Sequence, residues 1–164
     1  MKERFPFNRQ DSAPVAGLCP PIYIVSPDAP MTGFCCSTTV WGTWTHWDTA
    51  TKRSIACIND KKLCQGCLRQ LPHRWKGFLH LYNPQFTREW FVELTPLADK
   101  SLKGATINQP SLRGLHLEFR REFRVKKSTI LVACTGTWQG PGELPKPKEP
   151  EVSLARIFGL AERS

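Results

Sequence analysis

The stretch RWKGFLHLY, residues 74–82, decides the fold class because its side chains alternate in the manner of a β-strand. One face carries Trp75, Leu79 and Leu81, and the other carries Phe78 and Tyr82. The leucine face is the better candidate for the core. The opposite face, which also carries Lys76 and His80, is then left for solvent or a ligand.

Strand patterns continue on both sides of this stretch. Upstream, CCSTTVWGTWTHW (35–47) is rich in Thr, Val and Trp. Downstream, EWFVEL (89–94) predicts a third strand, and Thr95-Pro96 predicts the start of a short helix that runs to about Lys103. Alternating apolar residues predict a long strand over 113–126, and TILVAC (129–134) predicts a buried fifth strand.

The predicted order, with its helix between strands three and four, is that of an OB fold. We therefore expect a mainly β protein: a five-stranded OB-like barrel with one short helix and a long loop, 48–73, inserted between strands 1 and 2. A zinc-ribbon β-domain is the alternative. A 25-residue loop in a compact domain requires its own stabilisation.

Possible metal ligands lie in and beside that loop, with the spacing H-x10-C-x6-C-x2-C. They are His46, Cys57, Cys64 and Cys67. Such a Cys3His set can hold Zn²⁺ tetrahedrally, and four protein ligands leave no open position for water, so a structural zinc is expected. His73 is an alternative fourth ligand, as is Cys35 or Cys36.

Sequence motifs for catalysis are absent. A zinc deaminase requires H-x-E followed by P-C-x-x-C, whereas Trp47-Asp48 follows His46 and Leu63 precedes Cys64. The phosphate-binding, nucleophile-elbow and H-E-x-x-H motifs are missing too. We expect a protein that is not an enzyme.

Charge and cysteine content indicate the partner and the compartment. Lys and Arg number 23 against 14 acidic residues, a formal net charge of +9, which favours nucleic acid. Met1–Phe5 has no apolar signal sequence, and no run is long enough to cross a membrane. Seven cysteines without an export signal favour reduced thiols, so we expect a cytoplasmic protein with no membrane partner.

Single-stranded nucleic acid is bound by cations along the phosphates and flat side chains against the bases. The candidate contacts are Arg69, Arg74, Lys76, Phe78, Tyr82, Arg120, Arg124 and Lys126. Two alternatives stay open: Phe78 and Tyr82 could belong to the core, and the last three cations could be an ordinary solvated strand face.

The chain divides into three segments by composition. Residues 1–33 are a Pro-rich N-terminal arm, and 34–139 are the zinc-containing OB-like domain. Residues 140–164 combine a Pro-rich linker with the apolar stretch VSLARIFGL (152–160), which could dock a protein partner or fold back.

Strand order, basic aromatic face and zinc motif together resemble the zinc-containing OB-fold single-stranded DNA-binding proteins of T4-type phages. The resemblance covers roughly residues 35–135 and implies a Cys3His zinc at His46, Cys57, Cys64 and Cys67. Many such proteins end in an acidic tail, whereas residues 140–164 carry equal numbers of acidic and basic side chains.

These observations predict a non-catalytic protein that binds single-stranded DNA or RNA, with DNA expected. The alternative is a zinc-stabilised adaptor that docks a larger nucleic-acid-processing complex through its C-terminal tail.

Overall fold

A computed structural model of the chain describes residues 20–58, 60–148 and 150. Strands dominate this part of the chain, so the prediction of a mainly β protein is confirmed. The strands are β1 (Ile22–Tyr23), β2 (Met31–Cys35), β3 (Trp41–Asp48), β4 (Arg53–Ala56), β5 (His73–Asn83), β6 (Arg88–Leu94), β7 (Leu115–Arg121) and β8 (Ile130–Thr137). The helices are α1 (Gln65–Leu68) and α2 (Pro96–Ala105).

The main sheet is open and mixed, with the strand order β1-β6-β5-β2-β7-β8. Only the short β1–β6 pair is parallel among the described pairings. Helix α2 covers one face, mainly against β8, and its Ala98 and Leu102 share a buried apolar cluster with Leu79, Leu81 and Leu117. As predicted, Thr95 caps this helix: its hydroxyl accepts a hydrogen bond from the N–H of Ala98, and Pro96 occupies the first helical position.

Strand β5 takes part in both the main sheet and a second, smaller group of strands. Its residues Gly77–Asn83 pair with β6 in the main sheet. Its first half, His73–Phe78, pairs with β3, which in turn pairs with β4. Strand β2 pairs with the same edge of β5 as β3 does, but further along β5, at Leu81 and Tyr82. We call β3, β4, α1 and the start of β5 (residues 41–76) the lobe.

The predicted five-stranded OB-like barrel is not confirmed, because the described strands form an open eight-stranded sheet. The predicted strand 35–47 is divided: Cys35 ends β2, and β3 begins only at Trp41. The predicted strand 113–126 ends at Arg121, because the chain turns there and Arg124 takes a φ of 52°. The predicted loop 48–73 contains a strand and a helical turn.

Residues 144–148 lie against the main sheet, although the sequence pattern predicts a linker there. Leu144 is buried, and the guanidinium of Arg113 donates to the carbonyls of Leu144 and Pro145 at 3.0 and 2.9 Å. The backbone N–H of Lys148 donates to Nδ1 of His80 at 3.3 Å. We call residues 144–148 the strap. Extended Pro-rich backbone leaves its carbonyls free to accept such bonds.

Parts of the predicted arm and tail lie outside the described residues, namely 1–19 and the docking stretch 152–160. Residues 20–33 of the arm contribute β1 and the first part of β2 to the sheet. Neither described helix is long and apolar enough to cross a membrane.

Candidate metal centre and neighbouring surface

Four side chains from three neighbouring segments of the lobe form the candidate metal centre. His46 lies in β3, Cys57 directly follows β4, and Cys64 and Cys67 flank the start of α1. One donor atom from each lies within 4.8 Å of all the others. The structure therefore brings together the four residues that the sequence motif predicts.

Three of the six donor–donor distances match those of a tetrahedral ion. Nε2 of His46 is 3.5 Å from Sγ of both Cys64 and Cys67, and Sγ of Cys57 is 3.9 Å from Sγ of Cys67. With Zn–S near 2.3 Å and Zn–N near 2.0 Å, tetrahedral geometry requires edges of about 3.5 Å for N···S and about 3.8 Å for S···S. The thiolate-rich set suits Zn²⁺ chemically as well.

The ring of His46 is held in the orientation that a ligand needs. Its side chain is buried, and Nδ1 lies 3.0 Å from the carbonyl oxygen of Leu71. That carbonyl can only accept, so Nδ1 carries the proton and Nε2 presents its lone pair to the three sulfurs. A backbone carbonyl in this role is a common outer contact of metal-binding histidines.

The pKa values of Cys64 and Cys67 are shifted in opposite directions. Burial alone would raise the pKa of Cys64, but backbone N–H groups of Cys67, Ile58 and Gly66 point at its sulfur and lower its pKa to about 6. Burial and the hydrogen bond shared with Cys64 raise the pKa of Cys67 to about 11. One thiolate thus forms readily while its neighbour resists ionisation, a conflict that a bound divalent cation relieves.

The alternative fourth ligands occupy other positions. His73 stacks on His46 with ring centroids 4.2 Å apart, and its Nε2 lies 3.2 Å from Sγ of Cys57. It therefore borders the four-residue set without belonging to it. Cys35 and Cys36 are fully buried elsewhere, where desolvation raises the pKa of each thiol to about 12.

Arg69, predicted as a phosphate contact, forms a bidentate ion pair with Asp48. Its two terminal nitrogens lie 2.8 and 3.1 Å from the carboxylate oxygens. The hydrogen bonds from Arg69 lower the pKa of Asp48 to about 2. This pair ties the end of α1 to the end of β3, so Arg69 serves first to close the lobe around the candidate centre.

Two further predicted contacts are buried, which corrects the sequence-based interpretation. Phe78 is 1% exposed and packs with Ile22 and Phe91, so no base can reach its ring in this conformation. Lys76 is 7% exposed, with Nζ 3.4 Å from Glu93. Both faces of β5 are covered, which simple alternation does not reveal.

The remaining predicted contacts are more accessible but lie in separate parts of the molecule. Arg74 is exposed, with its guanidinium 5.5 Å from the ring centre of Trp47. Tyr82 is half-buried beside Trp138. Arg120, Arg124 and Lys126 are exposed at the opposite end of the main sheet from the lobe. The eight predicted residues therefore do not form one surface.

A flat aromatic surface lies beside the candidate metal centre. The indole of Trp75 packs directly on the backbone of Gly42 and Gly77, where any Cβ would overlap with it. Trp44, the cross-strand partner of Trp75, is 54% exposed, and its ring centroid is 5.6 Å from that of His73. We call Trp44, His73 and Trp75 the aromatic surface.

A pocket of about 410 Å³ opens on this surface, lined by Gly42, Thr43, Trp44, Cys57 and His73. The lobe also carries exposed cations: Lys52, Arg53, Lys61, Lys62 and Arg74. Sequence reasoning missed this combination because only the β3–β5 register brings the aromatic residues together. The sequence signal that could have revealed the aromatic surface is a glycine, Gly42 or Gly77, in each of two strands that also contain tryptophan.

No protein-family model, curated protein or solved structure matches this chain. Its class is therefore defined by the fold and the site: a mainly β protein whose lobe carries a candidate Cys3His metal centre.

Proposed function

We propose that this chain is a non-catalytic protein that binds single-stranded nucleic acid, with DNA as the expected partner, and that a structural Zn²⁺ stabilises its lobe. The observation that carries the proposal is the exposed aromatic surface beside the candidate metal centre. Trp44 is 54% exposed, and it stands on a pair of strands that contain Gly42 and Gly77. Much of its ring therefore has no packing contact within the protein. It offers an unstacked base a π-face.

The charge of the lobe supports the same partner. The lobe carries five exposed cations, while its Asp48 carboxylate is already paired with Arg69. The combination of stacking rings with cations along the strand path is the general chemistry of single-strand binding. It also resembles OB-type recognition, in which a strand face and a flanking loop hold the oligonucleotide.

The zinc has a structural part in this proposal. His46, Cys57, Cys64 and Cys67 would fill a tetrahedral ion and leave no position for water or substrate. The ion would hold β3, β4 and α1 together, and so fix the face of β3 that carries both His46 and Trp44. The six described cysteines are free thiols, which suits the reducing cytoplasm that we propose as its location.

A titration with fluorescent oligonucleotides tests the proposal. Single- and double-stranded DNA and RNA would be titrated at about 50 and 200 mM salt, where phosphate-based binding weakens steeply. We expect Trp44→Ala to weaken single-strand binding by about 1–3 kcal/mol, which is roughly 5- to 150-fold. Leu97→Ala, which truncates a similarly exposed side chain on α2, is the matched control. Salt-independent binding, or equal effects of both variants, would overturn the proposal.

An adaptor role is the second candidate. The strap fixes the place where the chain leaves the sheet toward residues 152–160, and Ile58, Leu63 and Leu68 are exposed on the lobe. Deleting residues 151–164, which leaves the strap intact, separates the two roles. Retained oligonucleotide affinity with loss of a co-purifying protein would favour the adaptor function for the tail.

A further inference from the structure

The turn between β7 and β8 presents apolar and cationic side chains together. Phe123 is 70% exposed and Val125 is 54% exposed. Exposed cations surround them, and Glu122 is the acidic residue among them. We call the group Arg120, Phe123, Arg124, Lys126 and Lys127 the basic tip.

Buried hydrogen bonds hold the turn in shape. The guanidinium of Arg121 is buried and donates to the carbonyls of Val25 and Ser128 at 3.1 and 2.7 Å. Within the turn, the N–H of Ser128 donates to the carbonyl of Val125, and the N–H of Glu122 donates to that of Thr129, each at 3.0 Å. A turn fixed in this way loses little backbone entropy when it binds a ligand.

The basic tip is far from the aromatic surface. Tyr82 lies seven residues after Trp75 along β5, and it is level with Phe34 of β2 and His116 of β7. Five more residues of β7 lead to Arg121 in the same direction, so the separation along the sheet is on the order of 40 Å. A short oligonucleotide cannot contact both surfaces of one molecule.

We infer that the basic tip is a second nucleic-acid contact, with Phe123 against a base and its cations against phosphates. This inference rests on the proposed function. Four cations around two exposed apolar side chains favour a polyanion with accessible bases over a bilayer, which needs more apolar area for stable anchoring. The protein would then hold a long single strand at two separated points. Once one point is bound, the second binds at a high effective concentration, which raises the overall affinity.

A length series of oligothymidines separates the two contacts. We expect Arg124→Gln/Lys126→Gln to leave binding of the shortest oligonucleotides unchanged and to weaken binding of the longest by about tenfold. For long strands, the slope of log affinity against log salt should fall by about 1.4, because two phosphate contacts are lost. Phe123→Ala should have the same length dependence, while Ile107→Ala, at another exposed apolar site, should not.

Three outcomes overturn the inference. If the tip variants bind every length like the unchanged protein while Trp44→Ala weakens all lengths, the proposed function stands and the second contact does not exist. If they weaken all lengths equally, the tip is not a separate contact. If they lose only binding to phosphatidylserine vesicles, the tip binds a membrane instead. Failure of Trp44→Ala alone would count against the aromatic surface and not against the tip.

Discussion

The backbone of Gly66 lies against the imidazole of His46 so closely that a Cβ at this position would overlap with the ring. Gly66 is buried in α1, between the two cysteines of the C-x2-C pair. The helical turn can therefore approach β3 only because residue 66 has no side chain. This contact places Cys64 and Cys67 at equal distances from Nε2 of His46.

Gly66→Ala should disrupt the metal centre, because either the ring of His46 or the whole turn must move. We expect weaker zinc retention, measured by competition with a chromogenic chelator, and a lower melting temperature. Gly104→Ala is the matched control: residue 104 lies in α2 with no neighbour within 4 Å of its added Cβ. That change should stabilise the helix by up to about 1 kcal/mol. Equal zinc retention in both variants would contradict the packing argument.

His46→Ala and His73→Ala should differ in metal content. The first removes a ligand whose Nε2 faces the sulfurs, whereas the second removes a ring that stacks on that ligand. Elemental analysis should therefore find zinc lost or strongly reduced in His46→Ala and close to stoichiometric in His73→Ala. The opposite result would make His73 the fourth ligand.

Removing the metal should unfold the lobe before the main sheet. Residues 73–76 of β5 pair with β3 alone among the described strands, while residues 77–83 pair with β6. After treatment with a strong chelator, hydrogen exchange should accelerate in β3 and β4 and remain slow in β6 and β7. Uniform acceleration across all strands would show that the lobe and the sheet unfold as one unit.

His80 should make stability depend on pH below neutrality. Burial lowers its pKa, although the nearby Glu89 carboxylate opposes this effect, and Lys148 and Arg113 add to it. Nδ1 accepts from the N–H of Lys148, and a protonated ring cannot accept. The unfolded chain takes up a proton near pH 6.5, so the stability from neutral His80 is complete above that pH and declines as the pH falls.

Urea denaturation between pH 5 and 8 measures this effect. In His80→Gln, the loss of stability toward pH 5 should be smaller than in the unchanged protein. The strap should also become more sensitive to proteases at acidic pH, since its bond to the ring is lost. An identical pH profile in the variant would exclude His80 as the titrating group.

Arg113 should be required for the strap. Its guanidinium donates to three backbone carbonyls, those of Cys36, Leu144 and Pro145. We expect Arg113→Ala to reduce the free energy of unfolding by about 1–3 kcal/mol, because these carbonyls lose a charged donor. Limited proteolysis should then cut near residue 144, whereas Arg120→Ala, which truncates an exposed arginine, should leave the strap protected.

The candidate metal centre was predictable from sequence because its chemistry is local. Cys64 and Cys67 are joined by one turn, and the β3–β4 hairpin brings Cys57 back to His46. Helix α2 was predictable for a similar reason, since Thr95 and Pro96 define its start. The open sheet was not predictable, because the pairing of β2 with both β5 and β7 joins residues far apart in the chain.

Burial on two sides also limited what the sequence pattern could show. Phe78 and Leu79 point to opposite faces of β5, and both are buried, so alternation alone could not tell which face is open. At the end of β7 the reverse holds: Phe123 and Val125 continue the apolar alternation but are exposed in a turn. Only tertiary contacts distinguish these cases.

The continuous strand β5 fixes the distance between the lobe and the main sheet. The lobe and the main sheet are built on the same eleven residues, so their spacing is set by the rise of one strand and not by a linker. Inserting residues in a surface turn would leave that spacing unchanged, whereas changing the length of β5 would alter it. The distance between the lobe and the main sheet is therefore a property of β5 itself.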